Sequence, residues 1–155
     1  MTTIAKHSGQ NAGGILKVEF AFPSEISAFT IYPSFKALVT FIQGADWKSL
    51  YATARTFSGD GNSETLPGGQ LYKYDFKFRC PKDRSDLIDA FYEFQAFGVI
   101  LRVTDGNSLV RIYGTPSNPL ASKSKLFLPG EVQGFNGYEI ALAGSFPDPA
   151  YLPYP

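Results

Sequence analysis

The stretch QLYKYDFKFRC, residues 70–80, constrains the fold of this chain more than any other segment. Every second residue is aromatic or apolar, and most of the residues between them are charged. This period of two predicts a β-strand with one face in a core and the other face exposed. The exposed face carries Lys73, Asp75, Lys77 and Arg79. The stretch therefore predicts a sheet protein and raises the question of what this charged face meets.

Similar patterns predict strands along most of the chain, punctuated by glycine and proline turns. The alternation is clearest in residues 15–23, whereas residues 45–57 mix fair helix propensity with an alternation that favours a strand. The glycine-rich, polar segment 58–69 predicts a long loop. The predicted strands are 15–23, 26–32, 35–42, 45–57, 70–80, 99–104, 108–113, 123–129 and 136–146.

One helix is predicted, at about residues 84–97, because its apolar residues recur at spacings of three and four. Gly98 follows as a helix stop. The chain is therefore expected to form an α+β, mostly β domain over residues 15–144. We expect an antiparallel sheet, sandwich or barrel with the helix packed on it. A flexible N-terminal arm, 1–14, and a proline-rich C-terminal extension, 145–155, are expected to flank it.

Composition argues against several functions. The 14 basic and 14 acidic residues balance, so no strongly basic surface for nucleic acid is expected. The chain contains no run of 18 apolar residues, so no membrane span is predicted. One cysteine, Cys80, and one histidine, His7, cannot fill a zinc site in a monomer. Phosphate-loop, dinucleotide-binding and nucleophile-elbow motifs are absent, so we expect no enzymatic activity and no cofactor.

Two alternatives to a structural role remain open. The first is a carbohydrate- or receptor-binding β module, in which Trp47, Tyr51, Tyr72 and Tyr113 would form an aromatic platform. The second is a small enzyme or nucleic-acid binder. Residues 70–80 disfavour nucleic acid, because their rings and charges point to opposite faces of the strand.

An ordered set of motifs in the second half of the chain carries a resemblance. It comprises DLIDAFYEF, then GVILRVTDGNSLVRIYGTPSNPL, and finally NGYEIALAGSFPDPAYLPY. In this order the motifs resemble small structural proteins of tailed bacteriophages and prophages of Bacteroidetes-type hosts. The resemblance covers roughly residues 70–153, and residues 1–69 carry none of it.

The resemblance implies a non-enzymatic virion protein, made in the host cytoplasm and built into a homo-oligomeric ring of the tail or head-to-tail connector. Expected partners are copies of the chain and neighbouring virion proteins such as tail tube, portal or adaptor. No membrane and no specific nucleic acid is expected, although a ring lumen could pass DNA. The alternative for the charged face of residues 70–80 is contact with water alone. The candidate subunit-interface residues are Ile4, Lys73, Asp75, Lys77, Arg79, Asp148 and Tyr151.

Overall fold

A computed structural model describes residues 13–53, 55–82, 85–131 and 133–155. It confirms a mostly β fold with one α-helix, α1 (Ser85–Phe97). A single 3-10 turn, Pro23–Glu25, follows the first strand. The strands are β1 (Ile15–Ala21), β2 (Ile26–Tyr32), β3 (Lys36–Phe41), β4 (Lys48–Ser49), β5 (Ser58–Leu66), β6 (Gly69–Pro81), β7 (Ile100–Asp105), β8 (Val110–Tyr113), β9 (Ala121–Phe127), β10 (Gly137–Phe146) and β11 (Leu152–Pro153).

The strands form three sheets. We call them the central sheet, with order β4-β1-β7-β8, the outer sheet, with order β5-β6-β10-β9, and the small sheet, with order β11-β3-β2. Neighbouring strands are antiparallel except in the pair β11 and β3, which is parallel. The sheets do not close into a barrel.

The first core lies between the central sheet, the outer sheet and α1. It follows from the predicted alternation, because Phe76 and Phe78 of β6 face the same side as Ile140 and Leu142 of β10. Val18 of β1, together with Leu101 and Val103 of the neighbouring strand β7, supplies the opposite wall. The buried members of the first core are Val18, Phe22, Phe76, Phe78, Cys80, Phe91, Phe94, Val99, Leu101, Val103, Leu120, Ile140, Leu142 and Phe146.

The second core lies on the other face of the central sheet, against the small sheet. Its buried residues are Ala37, Ile100, Ile112 and Tyr151. Ile100 and Leu101 are neighbours in β7 but belong to different cores, as successive residues of a strand point to opposite faces. The central sheet is therefore covered on both sides.

The C-terminal extension joins two sheets. Tyr151 exchanges both backbone hydrogen bonds with Ile112 of β8, at 2.7 and 2.9 Å. The Leu152 N–H then donates to the Phe35 carbonyl at 2.8 Å, and the Tyr154 N–H donates to the Ala37 carbonyl at 2.9 Å. The extension thus connects the edge of the central sheet to the edge of the small sheet.

The strand predicted at residues 45–57 is wrong, because only β4 forms there. The rest of the described segment crosses between sheets and changes its partner on the way. The Leu50 N–H donates to the Val18 carbonyl of β1 at 2.9 Å, whereas the Thr53 N–H donates to the Arg79 carbonyl of β6 at 2.7 Å. Leu50 and Ala52 pack against the first core, which explains the alternation without a continuous strand.

The loop predicted at residues 58–69 is also wrong, because most of it forms β5, paired with β6 in register from Ser58 to Leu66. Its glycines lie beneath aromatic rings of β6. A methyl group at Gly59 would stand 2.5 Å from the Phe76 ring, and one at Gly61 would stand 2.9 Å from the Tyr74 ring. The glycines permit close ring packing here, and they do not mark a turn.

The helix and the hairpin of β7 and β8 confirm the sequence predictions. Gly98 has φ of 68°, and its N–H donates to the Phe94 carbonyl at 3.0 Å, so it ends α1 as expected. In the hairpin turn, Asp105 Oδ1 accepts hydrogen bonds from the Asn107 and Leu109 N–H groups. No helix among the described residues is long and apolar enough to cross a membrane.

Candidate assembly surface

The charged face of β6 lies on the exposed side of the outer sheet. Two of its cross-strand neighbours on β10 are short, because Ala143 stands opposite Asp75 and Ala141 stands opposite Lys77. Asp75 and Lys77 therefore have no long side chain directly opposite them on β10. The structure brings Lys73, Asp75, Lys77 and Arg79 together on one face, as the alternation predicts.

Arg79 is held within the chain. Its Nε donates to Glu139 Oε2 at 3.2 Å, and the two residues are directly opposite in the sheet. Its guanidinium also lies 5.1 Å from the centre of the Phe135 ring and 5.9 Å from that of Phe127. Arg79 thus has an ion pair and two aromatic contacts without any neighbouring molecule.

Lys73 also has a partner in the chain. Its ammonium lies 2.9 Å from Glu64 Oε2 on β5. Both side chains are about half exposed, so this pair adds little to stability. It does fix the direction of the Lys73 side chain towards the β5 edge of the sheet.

Asp75 and Lys77 form no ion pair with any residue that the structure describes. Asp75 instead stands directly opposite Asp60 of β5, an arrangement of like charges that destabilises a sheet. An open hollow of about 460 Å³ lies beside them, bounded also by Asn62, Lys73 and Ser145. These unpaired charges are the part of the face best suited to a partner.

β5 provides an unpaired strand edge next to this face. All nine of its residues are exposed, and β6 is its partner on one side only. No described strand pairs with its other side, so its backbone N–H and C=O groups can pair with another chain. The opposite end of the outer sheet differs, because α1 lies alongside β9 there and Gln95 Nε2 donates to Ser124 Oγ at 2.7 Å.

The remaining predicted interface residues lie elsewhere. Tyr151 is only 6% exposed and belongs to the second core, so little of its side chain is left for a neighbour. Its hydroxyl donates to Asp148 Oδ2 at 3.0 Å. Burial, together with the hydrogen bond to Asp148 and the charge of that carboxylate, raises the pKa of Tyr151 to about 12. Ile4 lies outside the described residues.

Sequence reasoning missed an ionic cluster on the second-core side of the central sheet. Glu19 is 5% exposed, and its carboxylate lies 2.7 Å from the guanidinium of Arg102 and 2.6 Å from the ammonium of Lys17. The guanidinium also lies 4.8 Å from the centre of the Trp47 ring. The available signal was Arg102 itself, a lone cation inside the apolar run VILRV.

The four rings considered for a sugar-binding platform are dispersed. Trp47 packs against the second core, whereas Tyr113 packs against the first. Tyr51 is exposed on the crossing segment, and Tyr72 bonds to Gln70 near the tip of the β5–β6 hairpin. Within the described ranges, no group of three or more His, Cys, Asp or Glu residues is placed to hold a metal ion.

No protein-family model, no curated protein and no solved structure matches this chain. A functional proposal for this chain therefore starts from the charged face of β6 and the open edge of β5.

Proposed function

We propose that this protein is a non-enzymatic virion structural protein, a subunit of a homo-oligomeric ring in the tail or head-to-tail connector of a phage. The observation that carries the proposal is β5, a nine-residue strand that is exposed throughout and paired on one side only. A monomeric protein normally protects such an edge, because it can pair with other chains. An edge left open over this length favours a role in assembly.

The charged face next to this edge supports the same role. Asp75 and Lys77 lack ion pairs among the described residues, and they lie beside small alanines that give a neighbour access. Opposite charges on the next subunit would fix the register of contact more than they would raise affinity. The balanced charge of the whole chain, 14 basic against 14 acidic residues, also limits repulsion between crowded copies.

The location in a phage rests on the resemblance of residues 70–153 to virion structural proteins. Under this proposal the partners are copies of the chain and adjacent tail-tube, portal or adaptor proteins. Assembly takes place in the host cytoplasm before the subunit enters the virion. The carbohydrate-binding alternative has no comparable support, because its four rings do not share one surface.

Native mass spectrometry over a concentration series tests the proposal. We expect a discrete oligomer of one copy number, visible as a ring by negative-stain electron microscopy. Removal of residues 1–14 is expected to weaken the oligomer if that segment contacts a neighbouring subunit. A monomer at every concentration, with and without phage structural proteins added, would contradict the proposal.

A further inference from the structure

The outer sheet ends in an edge strand on each side, β5 at one end and β9 at the other. Among the described residues, β10 is the only strand that pairs with residues 121–127. α1 lies alongside β9, but Gln95 reaches it at Ser124, whose side chain faces the first core together with Ile140 of β10. The helix therefore meets β9 on the core face of the sheet, and the backbone edge of β9 stays without a partner strand.

The two edges have compatible directions. Four strands, each antiparallel to its neighbour, make up the outer sheet, so β5 and β9 run in opposite directions. A second copy placed beside the first in the same orientation therefore brings its β5 antiparallel to β9. The charged faces of both sheets then lie on the same side. Repetition of this step around an axis produces a ring.

The backbone groups that β5 leaves free belong to its core-facing residues. The Thr53 N–H donates to the Arg79 carbonyl at 2.7 Å, so Arg79 directs its backbone groups away from β10, to the side on which β5 lies. These directions alternate along a strand, so every second residue of β6, including Asp75, bonds to β5. Its partner Asp60 is therefore bonded, whereas Ser63 directs its N–H and C=O groups to the free edge.

The free backbone groups of β9 belong to core-facing residues as well. Leu120, the residue before β9, exchanges both backbone hydrogen bonds with Val99 and not with β10. By the same alternation, Ser122 and Ser124 direct their backbone groups to the free edge, and their side chains face the core. Core-facing residues of β5 can therefore pair with core-facing residues of β9, which places outward-facing residues opposite each other. A register shifted by one residue would lose both matches.

The charges of the two edges are opposite. β5 presents Asp60 and Glu64 on the charged face, whereas β9 presents Lys123 and Lys125 on that face. Asp60 and Lys123 make no ion pair with any described residue. Two β5 strands would bring carboxylates together and two β9 strands would bring lysines together, which destabilises a sheet. The charges therefore favour the pairing of unlike edges.

We propose that β5 of one copy pairs with β9 of the next, antiparallel and with Asp60 opposite Lys125, so that one sheet continues from subunit to subunit. This register is favoured because Asp60 has no ion pair and stands opposite Asp75, a repulsion that a nearby lysine relieves. Glu64, in contrast, is already held by Lys73. The contact rests on the ring proposed above and names its subunit interface.

Engineered disulfides test the contact directly. Residues opposite each other in an antiparallel pair have Cβ atoms about 4.5–5.5 Å apart, which a small adjustment brings within disulfide range. Asp60→Cys and Lys125→Cys in one chain should therefore, on mild oxidation, give a ladder of covalent multimers on a non-reducing denaturing gel. Either substitution alone should give no multimer, since the native Cys80 is buried. The matched control combines Asp60→Cys with Leu109→Cys, an exposed site elsewhere, and should give no ladder.

A charge exchange tests the same contact without cysteines. Asp60→Lys alone and Lys125→Glu alone are each expected to require about tenfold more protein to assemble in native mass spectrometry, because like charges then face each other. Asp60→Lys also removes the repulsion from Asp75 within the subunit, so its weaker assembly would not come from poorer folding. Both changes in one chain restore opposite charges and should restore assembly.

A proline on the free edge isolates the backbone contribution. Ser63→Pro removes an N–H that no strand of its own chain uses, and proline is tolerated at such edge positions. We expect this variant to fold, as circular dichroism verifies, and to need about tenfold more protein to assemble. Ser63→Thr keeps the N–H and should assemble like the unmodified protein.

The outcomes separate this contact from the ring itself. An oligomer that yields no ladder and is unaffected by Asp60→Lys and Ser63→Pro would show that the contact is wrong while the ring stands. Dimers cross-linked through Asp60→Cys alone would show that two β5 edges meet across a two-fold axis, which also overturns the contact. If the unmodified protein is monomeric at every concentration, the ring and this contact both fall.

Discussion

The central sheet has a different core on each of its faces. The first core contains fourteen buried hydrophobic residues and is built by long neighbouring strands and α1. The second core contains four, one of which, Tyr151, comes from the C-terminal extension. The second face also includes the ionic cluster of Glu19 and Arg102. The difference indicates that the first core supplies most of the stability, while the second depends on a few individual contacts.

The largest expected effect compares the same substitution in both cores. Phe78→Ala removes a side chain that is 1% exposed in the first core and should lower the free energy of unfolding by about 4 kcal/mol. Phe29→Ala removes a partly buried ring at the border of the second core and should cost about 2 kcal/mol. Urea unfolding of both variants measures the difference, and equal losses would contradict the comparison.

An intermediate effect is expected from Glu19→Ala, which leaves the Arg102 guanidinium without its partner between the two sheets. We expect a loss of about 3 kcal/mol, the low end for a broken buried pair, because Arg102 is partly exposed. Thermal and urea unfolding provide the measurement. The double variant Glu19→Leu, Arg102→Met serves as control and should recover most of the loss, since no charge stays unpaired. A Glu19→Ala protein as stable as the parent would show that the cluster is dispensable.

The smallest effect concerns the Tyr151 hydroxyl. Folding raises its pKa from 10.0 to about 12, so the protonated phenol stabilises the fold below pH 10. This contribution should disappear as the pH rises from 10 to about 12. Tyr151→Phe should lose about 1 kcal/mol at neutral pH through the missing hydrogen bond to Asp148. Unfolding measured from pH 8 to 12 should show a shallower decline for Tyr151→Phe, and parallel profiles would refute this assignment.

Strands were predicted accurately where one buried face and one exposed face alone produce the alternation of apolar and polar residues. In β6, alternation arises from one core and one exposed face, so its strand and its charged face were both predictable. In β5 the inward-facing positions are occupied by Gly59 and Gly61. These glycines have no side chains, and the rings of Phe76 and Tyr74 on β6 lie against them. No hydrophobic pattern remained in β5 to distinguish a strand from a loop.

The candidate surface was predictable only in part for a similar reason. The charges of β6 were visible from their spacing, but the open edge beside them belongs to β5, which the pattern concealed. The contact of α1 with β9, at the other end of the outer sheet, joins segments that are 29 residues apart at Gln95 and Ser124, and no local pattern reveals it. Tyr151 was assigned to an interface because the sequence does not show that Ile112 provides its partner within the chain.

The joining of two sheets by residues 151–154 also sets an order of events during synthesis. These residues are synthesised after every strand that they connect. Residues forming the first core emerge earlier, so that core can assemble while the second is still incomplete. The part of the second core that Tyr151 supplies, against Ile112 of β8, is therefore absent until the extension leaves the exit tunnel.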